Sequence, residues 1–217
     1  MQLRNTQILE LDRIFRLNLI NSVSGVKPAN LIGTISSLGQ TNLAIFSSVI
    51  HLGSDPALLG LMVRPSGDVR RHTYENIVET GSYTINHVSS SFVEMAHYTS
   101  AKFPKDISEF DACGFGEEYV TGVEAPFVRE SHIRLGMRFE EEIPIRRNGT
   151  SMIIGSIELA IVPDDMVTDL VDAAAGELTA GRRDELDRHL AGCDACRSEL
   201  EELRNAWFDA TSPLEQK

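Results

Sequence analysis

The order of apolar and polar positions predicts that residues 1–163 form mostly strands. Apolar runs, some of them alternating with polar residues, are separated by short turns. We predict six strands, over residues 30–36, 41–50, 57–63, 82–88, 132–145 and 151–162. The turn at Gly39 and the pair Asn148-Gly149 each predict a hairpin, because such residues adopt the backbone of tight turns. Six strands joined in this way favour an antiparallel barrel.

Helices are expected to be fewer in this part of the chain. Thr73 can cap a helix over residues 73–80, which Gly81 would end, and residues 90–98 are a second candidate. After residue 163 the sequence becomes rich in Ala, Leu and acidic residues, with apolar positions at helical steps of three and four. We therefore predict two domains, residues 1–163 and a helical tail over residues 164–217.

Composition and charge narrow the classes of partner. The chain has 217 residues, of which 42% are hydrophobic and 24% charged, as in ordinary globular proteins. Its 20 basic and 32 acidic side chains give a net charge of −12, which argues against nucleic acids and anionic membranes. No apolar run reaches the length of about 18 residues that a membrane span needs, and the first residues lack a secretory signal pattern. With only three cysteines, a reducing cytoplasm is the expected location.

A basic island interrupts this acidity. Residues 164–217 hold 14 acidic and 6 basic side chains, a net charge of −8, and residues 1–163 hold 18 and 14, a net charge of −4. Within the first part, residues 64–73 carry three arginines and His72 just before a predicted helix start. A helix N-terminus exposes unpaired N–H groups and attracts anions, so this segment is a candidate phosphate site. The alternative is a solvated basic loop that pairs with nearby acidic residues.

Polar residues also interrupt the apolar strand predicted over residues 41–50. Asn42, Ser47 and Ser48 lie among apolar neighbours, and a buried strand tolerates such residues only if they form hydrogen bonds. A flat heteroaromatic ligand with carbonyls and ring nitrogens could provide them. The alternative is local hydrogen bonding of the two serines to the backbone.

Several short motifs follow one another along the chain. They are Gly33-Thr34, Asn42-x-Ala44-x-Phe46-Ser47-Ser48, Ser54-Asp55-Pro56, Arg71-His72-Thr73-Tyr74-Glu75-Asn76, Glu79-Thr80-Gly81, Ser108-Glu109-Phe110 and Ile154-Gly155-Ser156. In this order they resemble the flavin reductase-like, FMN-binding split-barrel family, over about residues 8–165. The resemblance implies a mainly β fold, an antiparallel split barrel with a few peripheral helices, followed here by the short helical tail.

The resemblance also implies a function and a site. Members transfer hydride from NADH or NADPH to flavin, and they are usually homodimers with FMN near the subunit interface. No side-chain nucleophile or general base is required, so no catalytic residue is named. The residues that would bind FMN are Asn42, Phe46, Ser47, Ser48, Arg64, Arg71, His72 and Thr73, the last four and Ser48 at its phosphate. Asn86, Tyr98, Ser100 and Lys102 are further candidates for the edge of the flavin.

The tail contains a pattern of metal ligands. His189, Cys193 and Cys196 have a spacing that suits tetrahedral zinc, which needs a fourth ligand. The tail resembles the zinc-binding anti-sigma-factor domain, and alignment with that family puts Asp165 at the position of the first ligand. Aspartate is a less usual zinc ligand than histidine or cysteine. A metal-free pair of helices and a redox-active pair of cysteines are the alternatives.

The sequence is compatible with two further functions. The chain could be a regulatory flavin-binding protein whose tail binds zinc, a protein partner such as a sigma factor, or both. It could also be a flavin oxidase or oxygenase built on the same barrel.

Overall fold

The computed structural model describes residues 2–65, 70–104 and 106–164, together with Asp184, Arg188 and Ala191. The chain divides into two units, Met1–Val162 and Pro163–Lys217, and the strands described below all lie in the first. None of the described helices is both long and apolar enough to cross a membrane.

Strands dominate the described part of the first unit. The strands are β1 (Asn30–Ile35), β2 (Thr41–Phe46), β3 (Val49–Ser54), β4 (Ala57–Val63), β5 (Ser82–His87), β6 (Glu117–Glu118), β7 (Phe127–Val128), β8 (Arg134–Ile145) and β9 (Thr150–Ile161). The α-helices are α1 (Asn5–Glu10), α2 (Arg13–Ser22), α3 (His72–Thr80), α4 (Val93–Tyr98) and α5 (Glu109–Cys113), and a short 3-10 helix, Ser90–Phe92, precedes α4.

Seven strands form one antiparallel sheet in the order β2-β1-β5-β8-β9-β4-β3, and β6 pairs separately with β7. This confirms the mainly β, antiparallel fold expected from the sequence. Both predicted hairpins are present. In the first, Ser36 N–H donates to Gln40 O at 2.9 Å, and in the second, Gly149 has a φ of 73°, which glycine adopts without strain.

The strand predicted over residues 41–50 is two strands, β2 and β3, separated by Ser47 and Ser48. The two halves belong to opposite ends of the sheet, because β2 pairs with β1 and β3 pairs with β4. Ser48 is fixed to β4, where its hydroxyl donates to Met62 O at 3.1 Å and its carbonyl accepts from Met62 N–H at 3.4 Å. The local bonding of Ser48 to the backbone, one of the sequence alternatives, is therefore present.

The short link between β2 and β3 determines the shape of the sheet. The first and the last strand in the sheet order are joined by only two residues. Three backbone steps, from Phe46 to Val49, span no more than about 11 Å. The sheet must therefore be rolled so that its two ends meet, which makes it a barrel that is open between β2 and β3.

Three α-helices were not predicted from the sequence. Neither α1 nor α2 has a buried residue, and the large apolar side chains of α2, such as Ile14, Phe15 and Leu17, are exposed. The third, α5, has only five residues, which is too short for a helical period to be visible. Its start is nevertheless marked by Ser108, whose hydroxyl accepts from Phe110 N–H.

The core is divided between the two faces of the sheet. One cluster contains Ile32, Leu61, Val63, Ile77, Tyr83, Ile85, Met137 and Ile153. It joins β1 to β4, strands that are far apart in the sheet order, so it fills the inside of the barrel. The other cluster contains Leu31, Leu43, Phe92, Ala96, Phe110, Phe115 and Val128, and it packs α4 and α5 against the outside. Leu31 and Ile32 face opposite sides because strand side chains alternate.

Tyr83 crosses the inside of the barrel and requires a glycine opposite it. Its side chain is fully buried, and its hydroxyl has no hydrogen-bond partner among the described residues. Burial raises the pKa of Tyr83 well above its usual value. A Cβ on Gly155 would clash with the Tyr83 hydroxyl and would lie 2.8 Å from Arg138 O. The side chain of Tyr83 therefore packs directly against the backbone of β9, with no room for a side chain at Gly155.

Gly155→Ala should lower the free energy of unfolding by about 1–3 kcal/mol, the usual cost of overpacking a core. Urea denaturation followed by circular dichroism measures the change. Gly53→Ala is the matched control in another strand, since its new methyl group would meet only Pro56 O at an ordinary 3.6 Å. Tyr83→Phe in the Gly155→Ala background should restore part of the loss. A Gly155→Ala chain as stable as the wild type would contradict this packing.

Candidate functional site

The helix α3 begins without a side-chain cap. Within the described residues, its N-cap residue, Arg71, makes no side-chain hydrogen bond to the first turn. By contrast, Asp12 caps α2 and Ser108 caps α5 with side-chain oxygens. The first N–H groups of a helix lack partners within the helix and carry a partial positive charge. The start of α3 is therefore suited to bind an anion.

Two asparagine–threonine hydrogen bonds fix α3 against the sheet. Asn42 of β2 donates from Nδ2 to Oγ1 of Thr73 at 2.9 Å, and Asn76 of α3 donates from Nδ2 to Oγ1 of Thr34 at 3.0 Å. All four side chains are buried, so each needs such a partner. Because the Thr73 oxygen accepts from Asn42, its hydroxyl hydrogen can point toward a ligand.

Further hydrogen bonds join the ends of β2 and β4 to the start of α3. Ser48, just after β2, bonds to Met62 near the end of β4, as described above. Arg64 and Pro65 follow β4, and Arg71 Nε donates to Pro65 O at 3.4 Å. The connection between them, residues 66–69, lies outside the described residues. The basic residues on either side of this connection are thus held near the Ser48 turn.

The strand β2 has one free edge, because it is the first strand of the sheet and pairs only with β1. At this edge, Leu43 N–H donates to Oε2 of Glu109 at 3.0 Å. Backbone groups of an antiparallel strand face alternate sides. The N–H and C=O of Ile45, two residues further along, therefore face the same way as the N–H of Leu43. An open strand edge of this kind can pair with the polar edge of a ligand.

A narrow polar cleft lies beside the start of α3. It is lined by Ser36, Gln40, Thr41, Asn42, His72, Asn76 and Ile107. Glu109, which is also buried, accepts from the backbone N–H of Leu43, the residue after Asn42. Burial, the larger effect, raises the pKa of Glu109 above its usual value, although Leu43 N–H and His72 both favour the ionised form. The cleft thus combines hydroxyl and amide side chains with an imidazole.

The structure brings together most of the predicted binding residues of the barrel. Asn42 and Thr73 are bonded to each other, and His72 lines the same cleft as Asn42. Ser48 is bonded to Met62 of β4, Arg64 follows that strand, and Arg71 is bonded to Pro65. Phe46 is half-buried and packs against the core inside the barrel. Ser47 is exposed between β2 and β3.

Asn86 has a different position from the one expected. It is fully buried, its Nδ2 donates to Leu31 O and to Thr84 Oγ1, and its Oδ1 accepts from Val128 N–H. With both ends of the amide used, Asn86 holds β1, β5 and β7 together and is not available to a ligand. Tyr98, Ser100 and Lys102 are exposed.

The predicted metal ligands all belong to the tail. Asp165, His189, Cys193 and Cys196 lie outside the described residues. Within the part of the chain that the structure does describe, no group of three or more His, Cys, Asp or Glu side chains could hold a metal ion.

Sequence reasoning missed three residues that build this region, namely Thr34, Asn76 and Glu109. Thr34 and Asn76 are 42 residues apart, and Leu43 and Glu109 are 66 apart. All three lie in the short motifs that carry the family resemblance, and Ser108-Glu109 also has the composition of a helix start. Such a signal predicts the helix but not the strand that the carboxylate reaches.

Comparison with known proteins identifies the family. Residues 26–177, more than half of the chain, match the family described as "Flavin reductase like domain". The chain therefore belongs to the flavin reductase-like family. Residues 164–197 match a second family, described as "Putative zinc-finger", and the two matched ranges overlap over residues 164–177.

Solved structures share the same fold. A "putative flavin reductase with split barrel domain" from Shewanella frigidimarina NCIMB 400 is 48% identical, with 76% of this chain and 81% of that chain covered and a TM-score of 0.72. Nitrilotriacetate monooxygenase component B from Bacillus cereus, at 20% identity, is alike in fold, with 76% and 82% covered and a TM-score of 0.68. These likenesses confirm the split barrel.

One relative found by sequence comparison has a name that states no activity. An uncharacterized protein of Halalkalibacterium halodurans is 31% identical over 149 residues, which are 66% of this chain and 71% of that protein. The family membership thus rests on the matched domain and the fold.

Asn42→Ala should lower the free energy of unfolding by about 1–3 kcal/mol, because it leaves the buried Thr73 hydroxyl without its donor. Chemical denaturation measures this loss, and a double-mutant cycle with Thr73→Val should show coupling of at least about 0.5 kcal/mol. Asn18→Ala, an exposed asparagine of α2, is the control and should change stability by less than about 0.5 kcal/mol. Strictly additive effects of the two substitutions would argue against the Asn42–Thr73 bond.

Proposed function

We propose that this chain is an FMN-binding oxidoreductase that transfers hydride from NADH or NADPH to flavin, in the cytoplasm and as a homodimer. One observation carries the proposal. The uncapped start of α3, with Arg71, His72 and Thr73, is bonded through Thr73 to β2, a strand that has one free edge. A ligand that suits both features has a phosphate at one end and a flat ring with a polar edge at the other. FMN has this form, and membership of the flavin reductase-like family supports it.

The residues present fit the phosphate of FMN. The first N–H groups of α3 attract an anion, and the Thr73 hydroxyl can donate since Asn42 already donates to its oxygen. Arg71 uses Nε for Pro65 O, which leaves its two terminal nitrogens for a ligand. Arg64 completes the proposed phosphate-binding residues, and Ser48 can join them only if its hydroxyl, whose one hydrogen goes to Met62 O, turns to the phosphate instead.

The edge of β2 fits the ring of FMN. The backbone of Ile45 faces outward there, and Phe46 and Ser47 follow at the point where the barrel opens. Amide N–H and C=O groups in a fixed strand can bind ring carbonyls and nitrogens without loss of further backbone freedom. We propose Asn42, Phe46, Ser47 and Ser48 as the residues along this side of the ring.

The protein's contribution to the reaction is binding and orientation. Bound flavin supplies the hydride-accepting group, so no side chain has to act as nucleophile or base. The chain holds the phosphate at α3, fixes the ring along β2 and thereby presents one face of the ring to the nicotinamide. This arrangement requires positional accuracy, which the two buried asparagine–threonine bonds support.

Exposed apolar side chains support the proposed homodimer. Ile50 and Leu52 on β3 and Ile143 and Ile145 near the β8–β9 hairpin are all exposed. Because β3 is the last strand of the sheet, Ile50 and Leu52 lie on a strand edge as well. Large apolar residues on an edge strand are usually covered by another chain.

Arg71→Ala and Thr73→Ala should each lower the affinity for FMN by about tenfold or more. The affinity for riboflavin, which lacks the phosphate, should change by less than about threefold. Absorbance titration of the purified protein with either flavin measures both affinities. Arg70→Ala is the matched control, since Arg70 is exposed and forms an ion pair with Glu75 at 2.5 Å. It should change neither affinity by more than about twofold.

Two results would contradict the proposal. A purified wild-type protein that gains no flavin absorbance on titration with FMN is not a flavoprotein of this kind. If the Arg71 and Thr73 variants lose affinity for FMN and riboflavin equally, the assignment of these residues to the phosphate is refuted, but flavin binding itself is not. Flavin-dependent oxidation of NADH or NADPH without added substrate separates a flavin reductase from an oxidase or oxygenase that needs one.

A second candidate function concerns the tail. Residues 164–197 match the "Putative zinc-finger" family and contain His189, Cys193 and Cys196. We propose that these residues, with Asp165 as fourth ligand, bind zinc, and that the tail is a separate domain over residues 164–217. The division of the chain between Val162 and Pro163 supports a separate domain. The chain would then be a flavin-binding protein whose tail regulates it or binds a protein partner such as a sigma factor.

The purified chain should contain about one zinc per chain if this holds, and Cys193→Ser should lose most of it, because thiolate ligands carry much of the affinity. Metal analysis by mass spectrometry measures the content. Cys113→Ser is the matched control, because Cys113 lies in α5 of the barrel and should leave the zinc content unchanged. Absence of zinc from the wild type, purified without chelators, would leave the metal-free helical alternative.

A further inference from the structure

The hairpin between β8 and β9 carries two arginines that the proposed function does not use. Arg146 and Arg147 lie at its apex, and both are exposed. The apex is a tight turn, because the Ile145 carbonyl accepts from Gly149 N–H at 3.0 Å and from Asn148 N–H at 3.3 Å. The two guanidinium groups are therefore carried on a short, hydrogen-bonded turn.

This turn contacts the segment that follows β4. A Cβ on Gly149 would lie 3.3 Å from Pro65 Cγ, so the backbone of the turn packs against the proline ring. The carbonyl of Pro65 accepts from Arg71 Nε at 3.4 Å. Pro65 thus touches the hairpin turn through its ring and Arg71, a residue of the proposed phosphate site, through its oxygen.

The pairing of the strands gives the same placement. Val63 of β4 is paired with Ser151 of β9, and Ser151 is paired with Pro144 of β8. Neighbouring strands lie about 4.8 Å apart, so this row is about 10 Å wide. Arg64 follows Val63 directly, and Arg146 comes two residues after Pro144. The end of β4 and the end of β8 therefore lie close together, each followed by an arginine.

A hydrogen bond also joins β8 to the first turn of α3. Tyr74, the residue after Thr73, donates from its hydroxyl to Oε2 of Glu142 at 3.0 Å. Glu142 lies on β8, four residues before Arg146, and is the acidic residue nearest to Arg146 in the sequence. The hairpin is therefore bonded to the same helix turn that would hold the phosphate of FMN.

The basic side chains around Pro65 have no carboxylate partner within the described residues. They are Arg64, Arg71, Arg146 and Arg147. The ion pairs in the described part of the chain are formed by other arginines, namely Arg70, Arg134 and Arg138. Like charges repel one another, and a chain with a net charge of −12 has many carboxylates to offer. An anionic ligand would neutralise this group of arginines.

One phosphate does not account for all four arginines. The proposed phosphate site already has the start of α3, Thr73, Arg71 and Arg64, whereas Arg146 and Arg147 approach Pro65 from the hairpin side. We propose that Arg146 and Arg147 bind a second phosphate, that of the adenylyl half of FAD. The two phosphates of FAD share a bridging oxygen, so the second follows directly on the first. This inference rests on the proposed function, since it requires the first phosphate at α3.

The test removes both hairpin charges. The double variant Arg146→Gln/Arg147→Gln should lower the affinity for FAD by about tenfold or more, because two charge-assisted contacts to the second phosphate are lost. The affinity for FMN should fall by less than about threefold and that for riboflavin by less than about twofold. The wild type should bind FAD at least as tightly as FMN. Absorbance titration with each of the three flavins measures these affinities.

Two further double variants complete the experiment. Arg4→Gln/Arg13→Gln is the matched control, because it removes the same two charges from exposed positions at the starts of α1 and α2. It should change the affinity for FAD and for FMN by less than about twofold. Arg146→Lys/Arg147→Lys keeps the charge without the planar guanidinium, so it should retain part of the affinity for FAD. Thermal unfolding of each variant is measured in parallel.

The outcomes separate this inference from the proposed function. A wild type that binds no flavin overturns both. A wild type that binds FMN but binds FAD at least about tenfold more weakly overturns the role of the hairpin arginines alone. Equal changes in the affinities for FAD and FMN in the Arg146→Gln/Arg147→Gln variant, or no change in either, do the same. If that variant keeps its affinity for FAD but has a raised KM for NADPH relative to NADH, the arginines read the 2′-phosphate of the nicotinamide substrate and the assignment to FAD is wrong.

Discussion

The two-residue link between β2 and β3 is the constraint on which the rest of the structure depends. It joins the first and the last strand of the sheet, so the sheet can only exist rolled up. Rolling creates the interior that Tyr83 and the surrounding aliphatic side chains fill. It also brings the end of β4, and therefore the basic residues after it, next to the end of β2. This single short connection therefore brings together residues that are far apart in the sequence, and these residues make up the site.

Buried polar pairs then set the position of α3 within this frame. An asparagine from the strand reaches a threonine of the helix, and an asparagine from the helix reaches a threonine of the strand. Hydrogen bonds between neutral buried groups contribute only about 1 kcal/mol each to stability. Their larger effect is on geometry, since a buried donor that slips out of place loses its partner. The helix start is thus held accurately although no side chain caps it.

The sequence allowed the fold class, both hairpins and most strands to be predicted, because alternation and turn residues are local signals. It also located the basic segment around Arg71 and the interrupted strand around Asn42. It could not reveal that residues 41–50 form two strands at opposite ends of one sheet, because a break of two serines does not visibly interrupt the pattern of apolar and polar positions. Nor could it reveal the partners of Asn76 and Glu109, which depend on contacts across more than 40 residues. Asn86 is the opposite case. It was expected near the ligand, but its amide forms hydrogen bonds within the fold instead.

The contact of Glu109 with β2 has a consequence for self-association. An unpaired strand edge is a template on which another chain can add a strand, and that is how many β proteins aggregate. At Leu43, the N–H group that an incoming strand would need is already occupied by a charged side chain. A strand arriving from another molecule would have to displace a buried carboxylate to continue its ladder. The part of the β2 edge that stays free is therefore long enough to bind a small molecule but too short to pair with a strand of another chain.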